Sequence, residues 1–297
     1  MRCLMPKRRS DTLLPIFVIG FFLTLQPIKY HYKMKRTLIL LPLVIGMVAC
    51  GQNNTKKTET EPDNAVPTNE TMAVYETDTF ATQSGKAVTF HALTHASIRI
   101  GFDGKEIEID PVGKMGDRVI DYAAFPKADF LLVTHEHFDH FDTTAIATLT
   151  KEGTQLITNQ RCAEMLGYGT VMANGDKLDL SDWLSVEAVP AYNTTDGHLQ
   201  FHPKGRDNGF VLSIDGLRVY VAGDTEDIPE MAEIKDIDVA FLPCNQPYTM
   251  TVDQLLRAAR TIRPKVLFPY HYGQTNVSGI PSLLRQDGVE VRIRHYE

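Results

Sequence analysis

The sequence contains few cysteines, and their scarcity excludes several kinds of small protein. Four occur among 297 residues, and a chain this long with so few is not built on a disulfide framework. None has the spacing of a zinc finger. Cys3 and Cys50 fall within the N-terminal leader described below. Cys162 and Cys244 lie in apolar or mixed surroundings, and we expect them to be free, buried thiols.

The sequence also lacks an excess of basic residues and a serine-nucleophile motif. The formal net charge is −7, which argues against a surface that binds nucleic acid. No Gly-x-Ser-x-Gly segment is present, so we do not expect a hydrolase built on a serine at a strand-to-helix turn. Hydrophobic residues make up 43% of the chain, which is enough for a substantial core.

Two apolar runs in the first 50 residues have the features of export signals. Residues 13–25 follow a basic cluster, and residues 37–49 follow Lys35-Arg36 and lead into Val48-Ala49-Cys50. A basic start, an apolar stretch of this length and a small residue before a cysteine resemble a bacterial lipoprotein signal, in which the cysteine is acylated. We therefore predict a leader at residues 1–50.

The second signal implies a location for the protein. We predict that the true start is Met34 and that the protein is exported and anchored by a lipid on Cys50. The anchor would hold it on a bacterial membrane, facing the periplasm or the cell exterior. A single-pass anchor at residues 11–28 is the alternative, although that run is marginal for spanning a bilayer.

Residues 51–75 are polar, and their composition predicts a flexible tether.

Residues 76–297 have the pattern of one domain of short strands and helices. Two hairpins turn at Asp103-Gly104 and Asp215-Gly216. Each delivers an aspartate after its second strand, Asp110 and Asp224, which suggests two similar halves. Strands are predicted at 88–90, 97–102, 105–109, 130–133, 155–158, 177–180, 184–189, 210–214, 217–221, 239–242, 266–268 and 289–293, and helices at 142–149, 160–166, 251–262 and 280–287.

Metal-type ligands are concentrated in the segment Thr134-His135-Glu136-His137-Phe138-Asp139-His140, directly after the apolar run 130–133. Alternate residues of an extended segment point the same way, so His135 and His137 can hold one ion together. Asp139 and His140 follow a change of chain direction and can face a second ion. Four such ligands so close together would otherwise waste desolvation energy. The segment therefore predicts a metal site.

Three motifs in order resemble those of the metallo-β-lactamase fold superfamily. They are the segment 134–140, Gly223-Asp224-Thr225, and Pro269-Tyr270-His271-Tyr272-Gly273. Together they look most like the branch of metal-dependent hydrolases related to ascorbate-phosphate lactonases and N-acyl-phosphatidylethanolamine phospholipases D. The resemblance implies an α/β, four-layered αββα sandwich with two divalent metal ions. Imidazole and carboxylate ligands without thiolate suit zinc first, with manganese or iron as alternatives.

The resemblance also implies roles for individual residues. His135 and His137 would bind the first ion, Asp139, His140 and His271 the second, and Asp224 would bridge the two. The third histidine of the first ion is open: His202, in Phe201-His202-Pro203-Lys204-Gly205, is preferred to His198, and Asn193 or water remains if neither binds.

Several other residues are candidates for the surroundings of the metals. His95 would orient substrate or support a ligand, and we place it with Asp139 and Asp224 among the catalytic residues; a plain loop histidine is the alternative. Asp110 is expected to support the site rather than bind metal. The segment Tyr248-Thr249-Met250 is expected to line the pocket. Lys204 and Arg206 could bind an anionic group of the substrate, although a solvated surface position is favoured for both. The loops 111–121, 193–209 and 272–281 are expected to determine which substrate is selected.

These observations predict a dinuclear metal-dependent hydrolase that uses a metal-bridging hydroxide on an ester, lactone or phosphodiester bond. Its substrate would be a small or lipid-like molecule. Two alternatives remain. One is a di-iron oxidoreductase on the same fold, for which no flavin domain is visible. The other is a lipid-tethered protein that binds metal or ligand without turnover.

Overall fold

The computed structural model describes residues 75–296. The predicted leader and nearly all of the predicted tether lie outside these residues. Within them, strands and helices alternate as follows: β1 (Thr77–Ala81), β2 (Ala87–Thr94), β3 (Ser97–Phe102), β4 (Lys105–Ile109), β5 (Lys114–Met115), β6 (Arg118–Val119), β7 (Phe130–Val133), α1 (Thr143–Leu149), β8 (Gln155–Thr158), α2 (Gln160–Leu166), β9 (Thr170–Val171), β10 (Lys177–Asp179), β11 (Leu184–Ala191), β12 (Asp207–Ile214), β13 (Leu217–Val221), β14 (Val239–Pro243), α3 (Val252–Ile262), β15 (Val266–Tyr270), α4 (Ile280–Leu284) and β16 (Glu290–Val291). Short 3-10 turns occur at Tyr122–Ala124, Pro229–Glu233 and Arg285–Asp287.

Two seven-stranded sheets have the same internal order. The first runs β1-β2-β3-β4-β7-β8-β9 and the second β10-β11-β12-β13-β14-β15-β16. In each, the first four strands pair antiparallel and the remaining pairs are parallel. This shared order supports the two similar halves predicted from the hairpins.

The sheets pack face to face and carry helices on their outer faces. Alternate residues of a buried strand enter different layers because side chains alternate across a sheet. On β14, Val239 and Phe241 belong to the core between the sheets, whereas Ala240 and Leu242 pack with residues of α3 and α4. On the first sheet, the outer face packs with α1 and α2. The layers are therefore αββα, as expected.

Local sequence signals set the ends of two helices. The Thr251 side chain accepts from the Gln254 backbone N–H and the Gln254 side chain accepts from the Thr251 backbone N–H, which confirms the predicted capping box of α3. Gly167, with φ 78°, ends α2. The predicted helix 280–287 divides into α4 and a 3-10 turn ending before Gly288.

Several predictions about strands need correction, including 184–189 and 210–214, which are parts of the longer β11 and β12. The strand predicted at 289–293 is confined to β16, although the Arg292 backbone N–H still donates to the Leu267 carbonyl of β15 at 2.9 Å. The side chains of Arg292 and Arg294 bind the carboxylate of Asp78 at 2.6–2.9 Å. The strand predicted at 88–90 extends over all of β2, and β15 runs on to Tyr270. The strands β1, β5, β6 and β9 were not predicted. No helix among residues 75–296 is both long and apolar enough to cross a membrane.

The fold brings the predicted motifs to one edge. Parallel strands of a sheet deliver their carboxyl ends to the same side. Asp110 follows β4 and Thr134-His135 follows β7 in the first sheet, while Asp224 and His271 follow β13 and β15 in the second. The loop from β11 to β12 supplies His202.

Candidate metal centre

Asp224 occupies the middle of the site. Its Oδ2 lies 3.3 Å from His202 Nε2, 3.1 Å from His271 Nε2 and 3.9 Å from His135 Nε2. Its Oδ1 lies 3.2 Å from His140 Nε2. The carboxylate is 2% exposed. One carboxylate thus faces imidazoles that both sheets supply.

Three histidines form the first candidate group. The ligand atoms of His135, His137 and His202 lie within 4.8 Å of one another. His135 Nε2 and His137 Nδ1 are 3.1 Å apart, as expected for alternate residues of one extended segment. His202 is buried, whereas the side chain of His198 is 25% exposed and its Nδ1 lies 3.6 Å from Glu226 Oε1. The geometry therefore brings His202, and not His198, to the cluster.

His95, Asp139, His140 and His271 form the second candidate group, again with ligand atoms within 4.8 Å of one another. The chain turns between His137 and His140, whose backbone N–H donates to the His137 carbonyl at 3.0 Å. Asp139 Oδ2 lies 3.2 Å from His95 Nε2 and 3.6 Å from His271 Nε2. The predicted change of direction after His137 thus separates the two donor groups.

Hydrogen bonds on the far side of three rings orient their free nitrogens. His140 Nδ1 lies 2.8 Å from Asp110 Oδ2, and His202 Nδ1 lies 3.0 Å from Asp207 Oδ2. Thr134 Oγ1 donates to Asp110 Oδ2 at 2.7 Å, so its lone pair is left to accept from His135 Nδ1 at 3.0 Å. With an ion bound, each ring would donate from Nδ1 to these partners and would present Nε2 to the ion beside Asp224.

Two site histidines depend on one another through the backbone. The His271 backbone N–H donates to the His95 carbonyl at 3.1 Å, and the His95 N–H donates to the Tyr296 carbonyl at 2.8 Å. His95 and His271 have φ values of 49° and 46°, and Asp110 has 46°. Left-handed backbone at non-glycine residues is uncommon and often occurs at functional sites. The C-terminal segment therefore takes part in shaping the site.

The carboxylates and imidazoles of the site shift one another's pKa values. Burial raises the pKa of Asp224, but the charges of His140 and His271 outweigh burial and hold that pKa well below its ordinary range. Burial lowers the pKa of His271, but the Asp224 carboxylate outweighs it and raises the pKa to about 9. His135 is different: burial, then the charge of His140, lowers its pKa well below the ordinary value.

The donor atoms fit divalent metal ions. Among residues 75–296, His140 Nε2, Asp224 Oδ1 and His271 Nε2 are buried and make no hydrogen bond. Yet each nitrogen lies 3.1–3.2 Å from an Asp224 oxygen. Buried polar atoms without a partner are costly, and an ion between them removes that cost. Imidazole nitrogens and carboxylate oxygens, without thiolate, suit zinc, manganese or iron.

A cavity of 510 Å³ opens above the donors. Its metal-side wall includes His95, His137, Asp139, His202 and Asp224. The remaining wall is mostly apolar and consists of Met115, Glu136, Phe138, Phe201, Asn245 and Tyr248.

The remaining candidate residues differ in whether they reach the cavity and in the contacts that they make. Tyr248 lines the cavity, but Thr249 and Met250 are buried and are not part of its lining. Lys204 Nζ contacts Glu230 Oε1 at 2.7 Å, and Arg206 Nε contacts Asp207 Oδ1 at 2.6 Å, so both cations are paired. The Asn193 amide donates to the His198 and Tyr248 carbonyls. Of the three loops expected to give selectivity, 111–121 and 193–209 reach the cavity, and the lining includes no described residue of 272–281.

Sequence reasoning missed several supporting residues. Thr134 and Asp207 were not singled out, although each fixes a histidine ring. Glu226 was missed as well: its Oε2 accepts from the backbone and hydroxyl groups of Thr194 and Thr195 at 2.7–2.9 Å, which fixes the loop that carries His202. Their proximity in the chain to motif residues was the available signal.

Comparisons with known proteins agree with this geometry. The family described as Beta-lactamase superfamily domain matches residues 89–271. A UPF0173 metal-dependent hydrolase from Ligilactobacillus salivarius is 32% identical over 192 residues, covering 62% of this chain and 84% of the relative.

Solved structures show the same similarity. A Parabacteroides distasonis protein assigned as a metal-dependent hydrolase is 49% identical, with a TM-score of 0.73 and coverage of 75% of this chain and 100% of its own. Igni18, a metallo hydrolase from Ignicoccus hospitalis, is 26% identical, with a TM-score of 0.60 and coverage of 69% and 94%. The chain belongs to the beta-lactamase superfamily and is a metal-dependent hydrolase with the metallo-β-lactamase fold.

Proposed function

We propose that the protein is a dinuclear hydrolase that acts on an ester, lactone or phosphodiester bond. The observation that carries this proposal is the position of Asp224, whose two oxygens face histidines of both donor groups. His135, His137 and His202 would hold one ion and Asp139, His140 and His271 the other, with Asp224 between them. Zinc is our first choice of metal.

The bound ions would supply acidification of a water molecule and polarisation of a substrate oxygen. The protein's own residues would position the reactants. Burial raises the pKa of Asp139, but the imidazoles of His271 and His95 outweigh it and hold that pKa well below its ordinary range. Asp139 therefore stays ionised at neutral pH and can accept a hydrogen bond from the attacking water. His95, 3.2 Å away, would fix the orientation of that carboxylate.

The branch related to ascorbate-phosphate lactonases and N-acyl-phosphatidylethanolamine phospholipases D remains part of this proposal. It rests on the similarity of the motifs and gives the three candidate bond types. It does not by itself name a substrate.

Metal content and turnover test the proposal together. The purified full-length protein should contain about two zinc ions per chain and hydrolyse at least one of a chromogenic ester, a lactone and a bis-phosphodiester. His202→Ala should lower both the metal content and the turnover, whereas His198→Ala, the matched histidine of the same loop, should keep both. One ion or none in the parent protein, together with no hydrolysis of the three substrates, would contradict the proposal.

We also propose that Cys50 is acylated and anchors the exported protein to a membrane, on the strength of the signal-like sequence before it. Expression in a bacterial host should place the protein in the membrane fraction, with the mass of a lipidated N-terminal cysteine. Cys50→Ser should release it. Recovery of the parent protein from the soluble fraction at its unmodified mass would refute the anchor.

A further inference from the structure

Apart from Glu136 and Asn245, the part of the cavity wall without metal donors is apolar, and it is partly exposed. It consists mainly of Met115, Phe138, Phe201 and Tyr248. Phe138 is 78% exposed and Tyr248 46% exposed. Large apolar side chains are seldom left in water beside a concave site without a reason. The two residues flank the same opening that leads to Asp139 and Asp224.

Further apolar side chains extend this surface beyond the cavity. Leu199, 46% exposed, lies in the same loop as Phe201. Val119, 65% exposed, pairs with Lys114 in the β5–β6 hairpin, next to Met115. Four of the eight large apolar residues that are exposed in the described part of the chain therefore belong to elements around this one opening.

The cavity lining carries no cationic side chain other than histidine, since no lysine or arginine is among the described residues that line it. Two arginines beside the lining residue Glu136 are paired with carboxylates: Arg161 Nε lies 3.0 Å from Glu136 Oε1, and Arg206 contacts both Glu136 and Asp207. Lys204 is held by Glu230 and by the Tyr192 hydroxyl. Recognition of a second anionic group usually requires a free arginine or lysine, and the cavity offers none.

We propose that the substrate carries an uncharged, apolar group, such as a medium-length acyl chain or an aryl ring, which binds against Phe138, Phe201 and Tyr248 while the reacting bond faces the metal donors. This inference rests on the proposed function and narrows its substrate class. The cavity volume of 510 Å³ falls within the range of small-molecule sites, about 300–1,000 Å³. Substrates with a second negative charge away from the reacting bond are expected to be poor.

A chain-length series with the zinc-loaded full-length protein tests the inference. With p-nitrophenyl acetate, butyrate and hexanoate, kcat/KM should rise at least about tenfold across the series, since each methylene buried contributes up to about fourfold. The anionic p-nitrophenyl hemisuccinate should react more slowly than the butyrate ester. Phe138→Ser and Tyr248→Ser should each lower the hexanoate-to-acetate ratio about fivefold or more. Leu283→Ser, which removes an exposed apolar side chain outside the cavity lining, should leave the ratio unchanged.

A binding measurement separates failure of this inference from failure of the proposed function. The neutral fluorophore N-phenyl-1-naphthylamine should bind saturably to the parent protein, and more weakly to Phe138→Ser and Tyr248→Ser than to Leu283→Ser. If none of the esters is hydrolysed but this pattern holds, the apolar site stands and the ester assignment fails. Flat chain-length dependence, a preference for the hemisuccinate, or binding that the two cavity variants leave unaltered would each overturn the apolar-substrate proposal.

Discussion

Asp110 and His140 are joined by a hydrogen bond of 2.8 Å between Oδ2 of the carboxylate and Nδ1 of the ring, and both side chains are completely buried. The same carboxylate accepts from the backbone N–H and the hydroxyl of Thr134 at 2.8 and 2.7 Å. Thr134 in turn faces His135 Nδ1. One aspartate that is not expected to bind metal thereby orients a histidine of each donor group.

Asp110→Asn should weaken metal binding by about 10–100-fold, the range found when a supporting partner of a metal ligand is changed. The amide cannot accept all three hydrogen bonds, so His140 and His135 lose their fixed ring orientations. Zinc affinity can be measured by competition with a chromogenic chelator. Asp117→Asn changes an exposed aspartate and should bind zinc as the parent does. Parent-like affinity of Asp110→Asn would show that the ring orientations do not depend on Asp110.

Gly209→Ala should destabilise the protein by about 1–3 kcal/mol, the usual cost of an overpacked position. A Cβ at residue 209 would lie 2.6 Å from the carbonyl oxygen of Ala222, in the segment that leads to Asp224. Metal affinity should fall as well, since the strand end must shift. Urea unfolding and zinc competition measure the two effects. At Gly279 nothing lies within 4 Å of an added Cβ, so Gly279→Ala should change neither.

The sequence predicted elements whose signals are local. Each Asp-Gly turn joins strands adjacent in the chain, and the capping box of α3 needs only Thr251 and Gln254. By contrast, β1 and β9 are edge strands, and β9 is only two residues long. Their identity depends on pairing with β2 and β8 rather than on their own composition.

The candidate site divides in the same way. The residues at strand ends, such as Asp224 and His271, could be found from motifs that follow apolar runs. The sequence favoured His202 over His198 only through a resemblance, because the position of the ring depends on Asp207 and on the course of the loop that Glu226 fixes. Likewise, Lys204 and Arg206 are paired with acidic residues that only the folded chain brings close.

The buried carboxyl of Glu108 should make the free energy of unfolding depend on pH, independently of metal binding. Its carboxyl is fully buried, and burial raises its pKa to about 8 in spite of Arg99 at 3.1 Å. The folded protein therefore holds this proton more tightly than the unfolded chain, whose glutamate has a pKa near 4.5. The stabilising contribution is complete below about pH 4.5 and is lost as the pH rises through 8, by up to about 5 kcal/mol.

Glu108→Gln should remove that loss, because the neutral amide has nearly the same shape and Arg99 keeps Glu106 at 3.0 Å. The variant should gain stability relative to the parent as the pH is raised from 6 to 9. Urea unfolding at a series of pH values measures the difference. Glu152→Gln, at an exposed position, should follow the parent. A difference between Glu108→Gln and the parent that stays constant over this range would contradict the raised pKa.

The C-terminal segment should affect the second donor group through the backbone of His95. The Tyr296 carbonyl accepts from the His95 N–H at 2.8 Å and from the Thr94 hydroxyl at 3.2 Å, while the Tyr296 side chain is buried in the core. Tyr296→Ala removes the ring but keeps this carbonyl, so it should cost about 3–5 kcal/mol of stability and change zinc affinity little.

Removal of residues 296–297 takes away both the Tyr296 ring and its carbonyl. It should also reduce the bound zinc from about two ions toward one in the protein that remains folded. Unfolding curves together with metal content of the folded fraction distinguish the two effects. Equal metal content in the two variants would mean that the core packing of Tyr296 matters and its carbonyl does not, because the left-handed turn at His95 would then form without that acceptor.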